Sequence, residues 1–437
     1  MAIAYQGRLT RFRFAQETAF GTDMTGTMAS FDDIPAIMDS IELERLEEIV
    51  QPGHVIQRLD QRDLGVVQPR AANLKFDTNL ETFSTKALST VAATQHWLGK
   101  MLECQLGGKR LSTGTTISGT ASTTTVVNVA SASTYRAGGA LGIVNASTGL
   151  LEIREIKSIT SNAITLKMAL GAAPTTAGVD VYGCATYFLH NNPLGADPVY
   201  AQFAREGYNP KDRWVTPGGA GASFGFSGLE PSAIPRIKWA WKHPTWLPAD
   251  GSSVAANLRT ASFSQVAYTN VNLSTVRAAD LRLRDLTSSA LPSFLNAPKV
   301  DVVPNIEYEP LMTPGGGTGL CANTNTFGYR RVEVYERPSV QVNLDVHWAN
   351  DTTLDDYHAN ATALGFTEQI GVSSTKGGVL ISVPRLQMMK PPAEIMIGGI
   401  RGKHLELYAL HDTESVSAGA STDDDALAQA SLKLHFC

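Results

Sequence analysis

Twice in this chain an alternating apolar and polar stretch runs directly into residues at helical spacing. In the first copy Leu74, Phe76, Thr78 and Leu80 alternate with Asn73, Lys75, Asp77, Asn79 and Glu81. In the second, Val340, Val342, Leu344, Val346 and Trp348 alternate with Gln341, Asn343, Asp345 and His347. Successive side chains of a strand point to opposite faces, so each copy has one dry face and one polar face. A helix is expected next in both places. Leu88, Val91, Leu98 and Met101 follow Thr85, and Leu354, Tyr357, Ala361 and Leu364 lie between a capping Asp351 or Thr352 and a terminating Gly365. The spans 72–105 and 338–365 therefore read as a duplicated unit, an arrangement that points to assembly rather than to a single catalytic scaffold.

The remaining sequence is rich in glycine and in short Thr, Ser and Val runs, which predicts a mainly β protein with few helices. No run of about 18 apolar residues exists to span a bilayer as a helix, so no membrane insertion is expected. Met1 to Phe14 lacks the apolar core of a signal peptide, so synthesis in a cytoplasm is expected. The 36 basic and 41 acidic residues leave a net charge of -5, without the basic excess of a tight nucleic-acid binder. Cys104, Cys184, Cys321 and Cys437 lie far apart with no C-x-x-C spacing, so neither a zinc site nor a disulfide is expected.

Composition divides the chain. Residues 1–110 carry the first unit. Residues 111–187 shift sharply to Thr, Ser, Val, Ala and Gly in four or five short strands, read as an inserted small β module, independent and facing outward. Residues 188–255 continue the first unit, with Trp239 and Trp241 on one strand face and Lys238 and Lys242 on the other. Residues 256–437 carry the second unit, with a polar acidic loop over 412–425 and a closing strand through Leu432, Leu434 and Phe436. Glu42 and Glu44 give an earlier strand, Ile41 to Val50, an acidic face.

Motifs for chemistry are weak. Ser223 sits in a G-x-S-x-G match whose flanks read as strand on both sides, whereas a nucleophile elbow needs strand, turn and helix. The glycines after Pro314 lack the helix and Lys-Ser/Thr of a phosphate cradle. Histidines have no helical i, i+4 companion, and Asp423 to Asp425 lack the spacing of a calcium loop. No catalytic residue, metal or cofactor is expected.

Several stretches are similar to the tail-tube (major tail) proteins of long-tailed bacteriophages. Arg8 to Thr22, with Glu17 leading to Gly21 and Thr22, resembles that family's opening strand and turn. Gly219 to Leu229 with Arg236 to Trp241 resembles its glycine-led strand pair, Arg330 to Asp345 its second-half strand, and Gly398 to Leu407 its closing strand. The resemblance covers most of the chain outside 111–187. It implies a tail-tube β-sandwich or barrel with one helix per unit, duplicated in tandem, in a non-enzymatic virion protein whose stacked rings enclose a channel for DNA. Two units per chain fit trimeric, pseudo-hexameric rings. Implied partners are further copies of itself, tail-tip, tape-measure and tail-terminator proteins, and DNA in transient, non-specific passage.

On this reading Glu42, Glu44, Lys75, Asp77, Glu81, Gln341, Asn343 and Asp345 are candidates for the lumen, and an acidic or neutral lining keeps DNA from adhering. Without the resemblance the same residues read rather as the solvent face of an ordinary sheet. Met24, Thr25, Asp32 and Asp33, and Pro314, Gly315, Gly316 and Gly317, are candidates for mobile inter-ring loops. The alternatives are a carbohydrate-binding tail-tip or adhesin protein using Trp239, Trp241 and Trp246 as a sugar platform, and a hydrolase built on Ser223.

Overall fold

In the computed structural model the described residues are 10–22, 24, 31–46, 49–50, 66–67, 71–82, 96–119, 121–190, 199–207, 214–229, 233–248, 276–286, 293–294, 297–305, 308–314, 327–334, 339–347, 353–373, 375–416 and 422–437. Chain order begins with β1 (Thr10–Gln16), β2 (Asp32–Asp33), β3 (Glu42–Leu46), β4 (Ile49–Val50), β5 (Val66–Val67), β6 (Ala71–Asn79), helix α1 (Trp97–Leu106) and β7 (Gly107–Leu111). Six strands follow: β8 (Thr115–Thr116), β9 (Val126–Asn128), β10 (Ala140–Val144), β11 (Leu151–Thr160), β12 (Ala163–Leu166) and β13 (Asp180–Gly183). Next are β14 (Ala185–Leu189), β15 (Ala201–Gly207), β16 (Trp214–Ser227), β17 (Arg236–His243), β18 (Leu247–Pro248), β19 (Val276–Asp285) and β20 (Ser293–Phe294). The chain continues through β21 (Lys299–Asn305), β22 (Tyr308–Pro314), β23 (Phe327–Val334), β24 (Ser339–His347), helix α2 (Thr353–Ala359), β25 (Leu364–Ser373) and β26 (Gly377–Met388). It closes with β27 (Ala393–Ile397), β28 (Ile400–Ala409), helix α3 (Thr422–Gln429) and β29 (Lys433–Phe436). The protein is mainly β, with antiparallel sheets curved into a half-barrel.

Strands from both halves share one sheet, in the order β3, β6, β17, β16, β21, β24, β28, β27. A second layer, continuous with the first where β26 pairs with the end of β28, runs β7, β14, β29, β26, β25, β19, β20, and here too β14 of the first half pairs with β29 of the last residues. The N-terminal half of β16 turns away to pair with β15 and β18, beside β1 and β2. One apolar cluster fills the space between, from Phe12 and Phe76 through Trp239 and Trp241 to Val342, Leu407 and Phe436. Phe203 packs edge-on to Phe76 at 5.6 Å and to Trp241 at 5.0 Å, geometry that aromatic rings favour.

The two helices after the repeated strands differ. α1 starts at Trp97, with the His96 ring nitrogen accepting from the Leu98 N–H, and ends where Gly107 adopts φ 79° and its N–H reaches Glu103 O. It buries Leu98, Met101 and Leu102 against β16 and β14. At Gly221 of β16 the end of the Gln105 side chain of this helix occupies the space of a Cβ, 2.0 Å from Oε1, so a larger residue there would displace that side chain. α2, seven residues long or about two turns, buries no residue. The helix ends at Ala359 rather than near Gly365, and the chain turns through Ala361 at φ 48°. The acidic segment expected as a loop folds in part as α3, whose first turn carries Asp423, Asp424 and Asp425, where carboxylates complement the helix dipole.

Residues 115–183 form a separate six-stranded sheet in the order β8, β13, β10, β11, β12, β9, with its own core of Val127, Leu141, Ile143, Ile156, Ile164 and Val181. It is not the free outward module expected from composition. Ala140, Leu151, Ile153 and Tyr182 pack on Leu380 and Cys437, and the Gln369 amide accepts from Ile153 N–H at 3.0 Å and donates to Leu151 O at 2.7 Å. Cys184 and Cys437 form a disulfide across 253 residues, which corrects the expectation of unpaired cysteines; Cys104 is free and buried.

Four buried charges complete the joint. Lys167 and Lys433 each bridge Glu155 and Asp412 at 2.5 to 2.8 Å, and Ser382 donates to Glu155 at 2.6 Å. Burial alone would push the Glu155 carboxyl up, but the two ammonium groups more than offset it and bring it down to about 2; Asp412 is likewise held well below the usual carboxylate range. A lowered carboxyl stabilises the fold fully above its unfolded value, 4.5, and the contribution is lost as pH falls towards 2. Glu155→Gln is expected to destabilise by about 3–5 kcal/mol in urea unfolding at pH 7, since it leaves buried ammonium charge uncompensated. The wild-type margin over this variant should shrink between pH 4.5 and 2; an unchanged margin would show that the network does not titrate as described.

Candidate functional site

The largest feature available for function is the polar face of the eight-stranded sheet. Alternation puts Leu43, Leu74, Phe76, Ile237, Trp239, Phe224, Val302, Val342 and Leu405 on the core side of their strands. The opposite side carries Glu42 and Glu44 on β3, Asn73, Lys75, Asp77 and Asn79 on β6, and Arg236, Lys238 and Lys242 on β17. It continues through Ser223, Gly225 and Ser227 on β16, Lys299 and Asp301 on β21, Gln341, Asn343 and Asp345 on β24, and His404, Glu406 and Tyr408 on β28. Seven of the lumen candidates, Glu42, Glu44, Lys75, Asp77, Gln341, Asn343 and Asp345, thus share one surface.

Glu81 does not join them. It is buried: β6 ends at Asn79, and Leu80, Glu81 and Thr82 are buried in succession, so the strand alternation stops there. Glu81 lies 3.9 Å from His96, and burial pushes its carboxyl up to about 7, partly countered by a hydrogen bond from Trp97. Burial, then Lys100, push His96 down to about 4, consistent with the neutral ring accepting at the α1 cap.

The surface is charge-balanced rather than acidic. Glu42, Glu44, Asp77, Asp301, Asp345 and Glu406 stand against Lys75, Arg236, Lys238, Lys242 and Lys299. His404 bonds Asp345 at 2.6 Å, Lys299 lies 3.5 Å from Asp301, and Lys390 lies 2.8 Å from Glu406. The alternation of Lys238 and Lys242 with Trp239 and Trp241 signals the polar side of β17, but not that β17 lies beside the acidic strands, since pairing of residues 160 apart leaves no local trace.

The sheet has two open edges. Among the described residues neither β3 nor β27 has a strand on its outer side. On β27, Met396 points to the core side of the sheet, yet is 67% exposed; on β3, Leu43 and the adjacent Ile41 are only half-buried against the core.

The loop candidates divide differently. Asp32 and Asp33 are held in β2: Arg11 and Arg13 bond Asp33 and Lys100 bonds Asp32, so this end of the segment is anchored rather than mobile. Met24 is tied through its N–H to Gln202. Pro314 ends β22, paired with Phe327, while Thr25, Gly315, Gly316 and Gly317 lie outside the described residues. Glu17 and Gly21 have a structural role, the Glu17 carboxylate accepting from the N–H groups of Gly21 and Gly218 at 2.8 Å each.

Trp239, Trp241 and Trp246 are buried and offer no face for a sugar. Ser223 lies within β16, between residues of the same strand. Among the described residues no group of three or more His, Cys, Asp or Glu is placed to hold a metal ion, and no helix is long and apolar enough to cross a membrane.

Exposure separates the glutamates by experiment. Glu42→Lys and Glu44→Lys are each expected to change unfolding free energy by no more than about 0.5 kcal/mol, as exposed substitutions do. Glu81→Lys puts a longer, charged side chain into a buried position and should destabilise by several times that amount. Equal, small effects in urea titrations would return Glu81 to the exposed face. A search against protein-family models found none that matches the chain, and a search of curated proteins found no significant relative.

Proposed function

We propose that this chain is a non-catalytic subunit of a phage tail tube, with the polar sheet face lining a channel for DNA and rings of three chains stacked along the tail. The observation that carries the reading is the pairing of β16 with β21. It joins two four-stranded arrays of the same design: β3, β6, β17, β16 and then β21, β24, β28, β27. Each array has an outer strand, a central strand leading to a helix, and a hairpin returning beside the central strand. The ladders coincide when residue 71 is matched to 339 and 79 to 347. The contact made inside the chain by β16 and β21 is then the contact that β27 of one copy and β3 of the next leave open. Closing a sheet into a barrel is the one arrangement that removes both edges, and a head-to-tail contact generates rings.

Transferring the internal register, in which Phe226 faces Val302, sets Glu394 opposite Leu43, Ile395 opposite Glu42, and Met396 opposite Ile41 of the neighbour. The exposed Met396 then gains an apolar cover. Six arrays complete a pseudo-six-fold ring when three chains join. In a virion such rings would stack between tail-tip and tail-terminator proteins and enclose a tape-measure protein before DNA passes.

Two measurements test this. Purified protein viewed by negative-stain microscopy, with a tail-tip complex as nucleus where needed, should form stacked rings, and Met396→Asp should abolish them while leaving a folded monomer. The pair Met396→Cys and Ile41→Cys, oxidised after assembly, should give covalent species ending at three chains. A persistent monomer at high concentration would overturn the reading, and a ladder ending at six would overturn the trimer.

A further inference from the structure

Lys167, which follows β12, and Lys433, which opens β29, direct their Nζ atoms at the same two oxygens, Asp412 Oδ2 and Glu155 Oε1. Lys167 Nζ lies 2.5 Å from Oδ2 and 2.7 Å from Oε1, and none of the four side chains is more than 3% exposed. The other oxygen of Asp412, Oδ1, accepts from the backbone N–H groups of Glu414 at 2.9 Å and Ser415 at 3.4 Å, while the Ser415 hydroxyl donates to Oδ2 at 2.7 Å. An amine, a carboxyl carbon, a carboxylate base and donors for an oxyanion therefore converge where water is excluded, and these are the parts that acyl transfer requires. Two ammonium groups sharing two acceptors repel, so one of them gives up its proton more readily. Burial, then Lys433, push Lys167 below the usual ammonium range although Glu155 and Asp412 oppose the shift. At Lys433 the same two carboxylates outweigh burial and push it up.

We propose that Lys167 and Asp412 react with each other to form an amide cross-link, with Glu155 as the base. Lys167 first passes a proton to Oδ2 along their hydrogen bond, leaving a neutral amine and a neutral carboxyl. The Nζ electron pair then attacks Cγ, the carbonyl pair moves onto Oδ1 under the Glu414 and Ser415 N–H groups, and Glu155 takes a second proton from Nζ. Glu155 returns that proton to Oδ2, the Cγ–Oδ2 bond breaks, the carbonyl re-forms and water leaves. Lys433 stays protonated throughout, first donating to the departing oxygen and then pairing with the regenerated Glu155 carboxylate. The product thus buries one balanced ion pair where the unreacted chain buries two, which lowers the cost of holding charge in a dry site. Groups held together in this way react at effective concentrations of about 10⁵ M or more, so rare proton transfers along the first hydrogen bond suffice. The bond ties the inserted sheet to the body across 245 residues, beside the Cys184 to Cys437 disulfide. It concerns a single chain and does not depend on the tail-tube reading.

The test is the mass of the full chain after reduction of the disulfide, followed by a tryptic peptide map. The wild type should be lighter than its sequence by one water, about 18 Da. That deficit should fall on one branched peptide joining the segments around Lys167 and Asp412. Lys167→Arg keeps a cation but cannot form this amide, and Glu155→Gln cannot take the proton, so both should keep the full mass. If either variant fails to fold, the wild-type peptide map still decides. Denatured and reduced, the wild type should also migrate ahead of Lys167→Arg on a gel, because its 167–412 loop remains closed. A wild type at full mass, a deficit confined to a linear peptide around Asp412, or a branch at Lys433 in place of Lys167 would each overturn the cross-link.

Discussion

The β16 to β21 pairing is the contact on which the architecture turns. Without it the chain would present two four-stranded arrays, each with two open edges and a half-covered apolar face. With it, one core runs from Phe12 to Phe436 and one polar surface spans both halves. β16 can make this connection because it serves two sheets: its first half lies beside β15, and after the irregularity between Gly221 and Ser223 its second half lies between β17 and β21. Gly221 at that point lets Gln105 of α1 lie directly on the strand.

What could be read from the sequence followed its period. Val340 to Val346 and Leu74 to Thr78 alternate strictly, and both strands and the sides they bury were legible. Glu81 departs from the expected exposed face because alternation stops after Asn79, where Leu80, Glu81 and Thr82 are all buried. The start of α1 was obscure because its cap is His96, an uncommon choice, while Thr85 and its neighbours carry stronger local signals.

Long-range pairing had no sequence signal at all. Glu155, Lys167, Asp412 and Lys433 are unremarkable in isolation, yet their side chains are almost wholly buried together, and with the Cys184 to Cys437 bond they fix the inserted sheet to the body. Composition marked the insert as different in kind without revealing how it was held. The same applies to the candidate site: local alternation identified polar strand faces, but their order around the sheet, and so the balance of charge on it, depended on topology.

The position of β29 has a temporal consequence. It lies inside the second sheet, between β14 and β26, not at its edge. Its partner β14 leaves the ribosome some 250 residues earlier, on the order of 10 to 50 s at ordinary rates of synthesis. Throughout that interval β14 lacks its neighbour and the core lacks Leu434 and Phe436. A nascent chain is therefore denied its finished half-barrel until the 433–436 segment has emerged, so that the order of translation sets the order in which the second sheet can close.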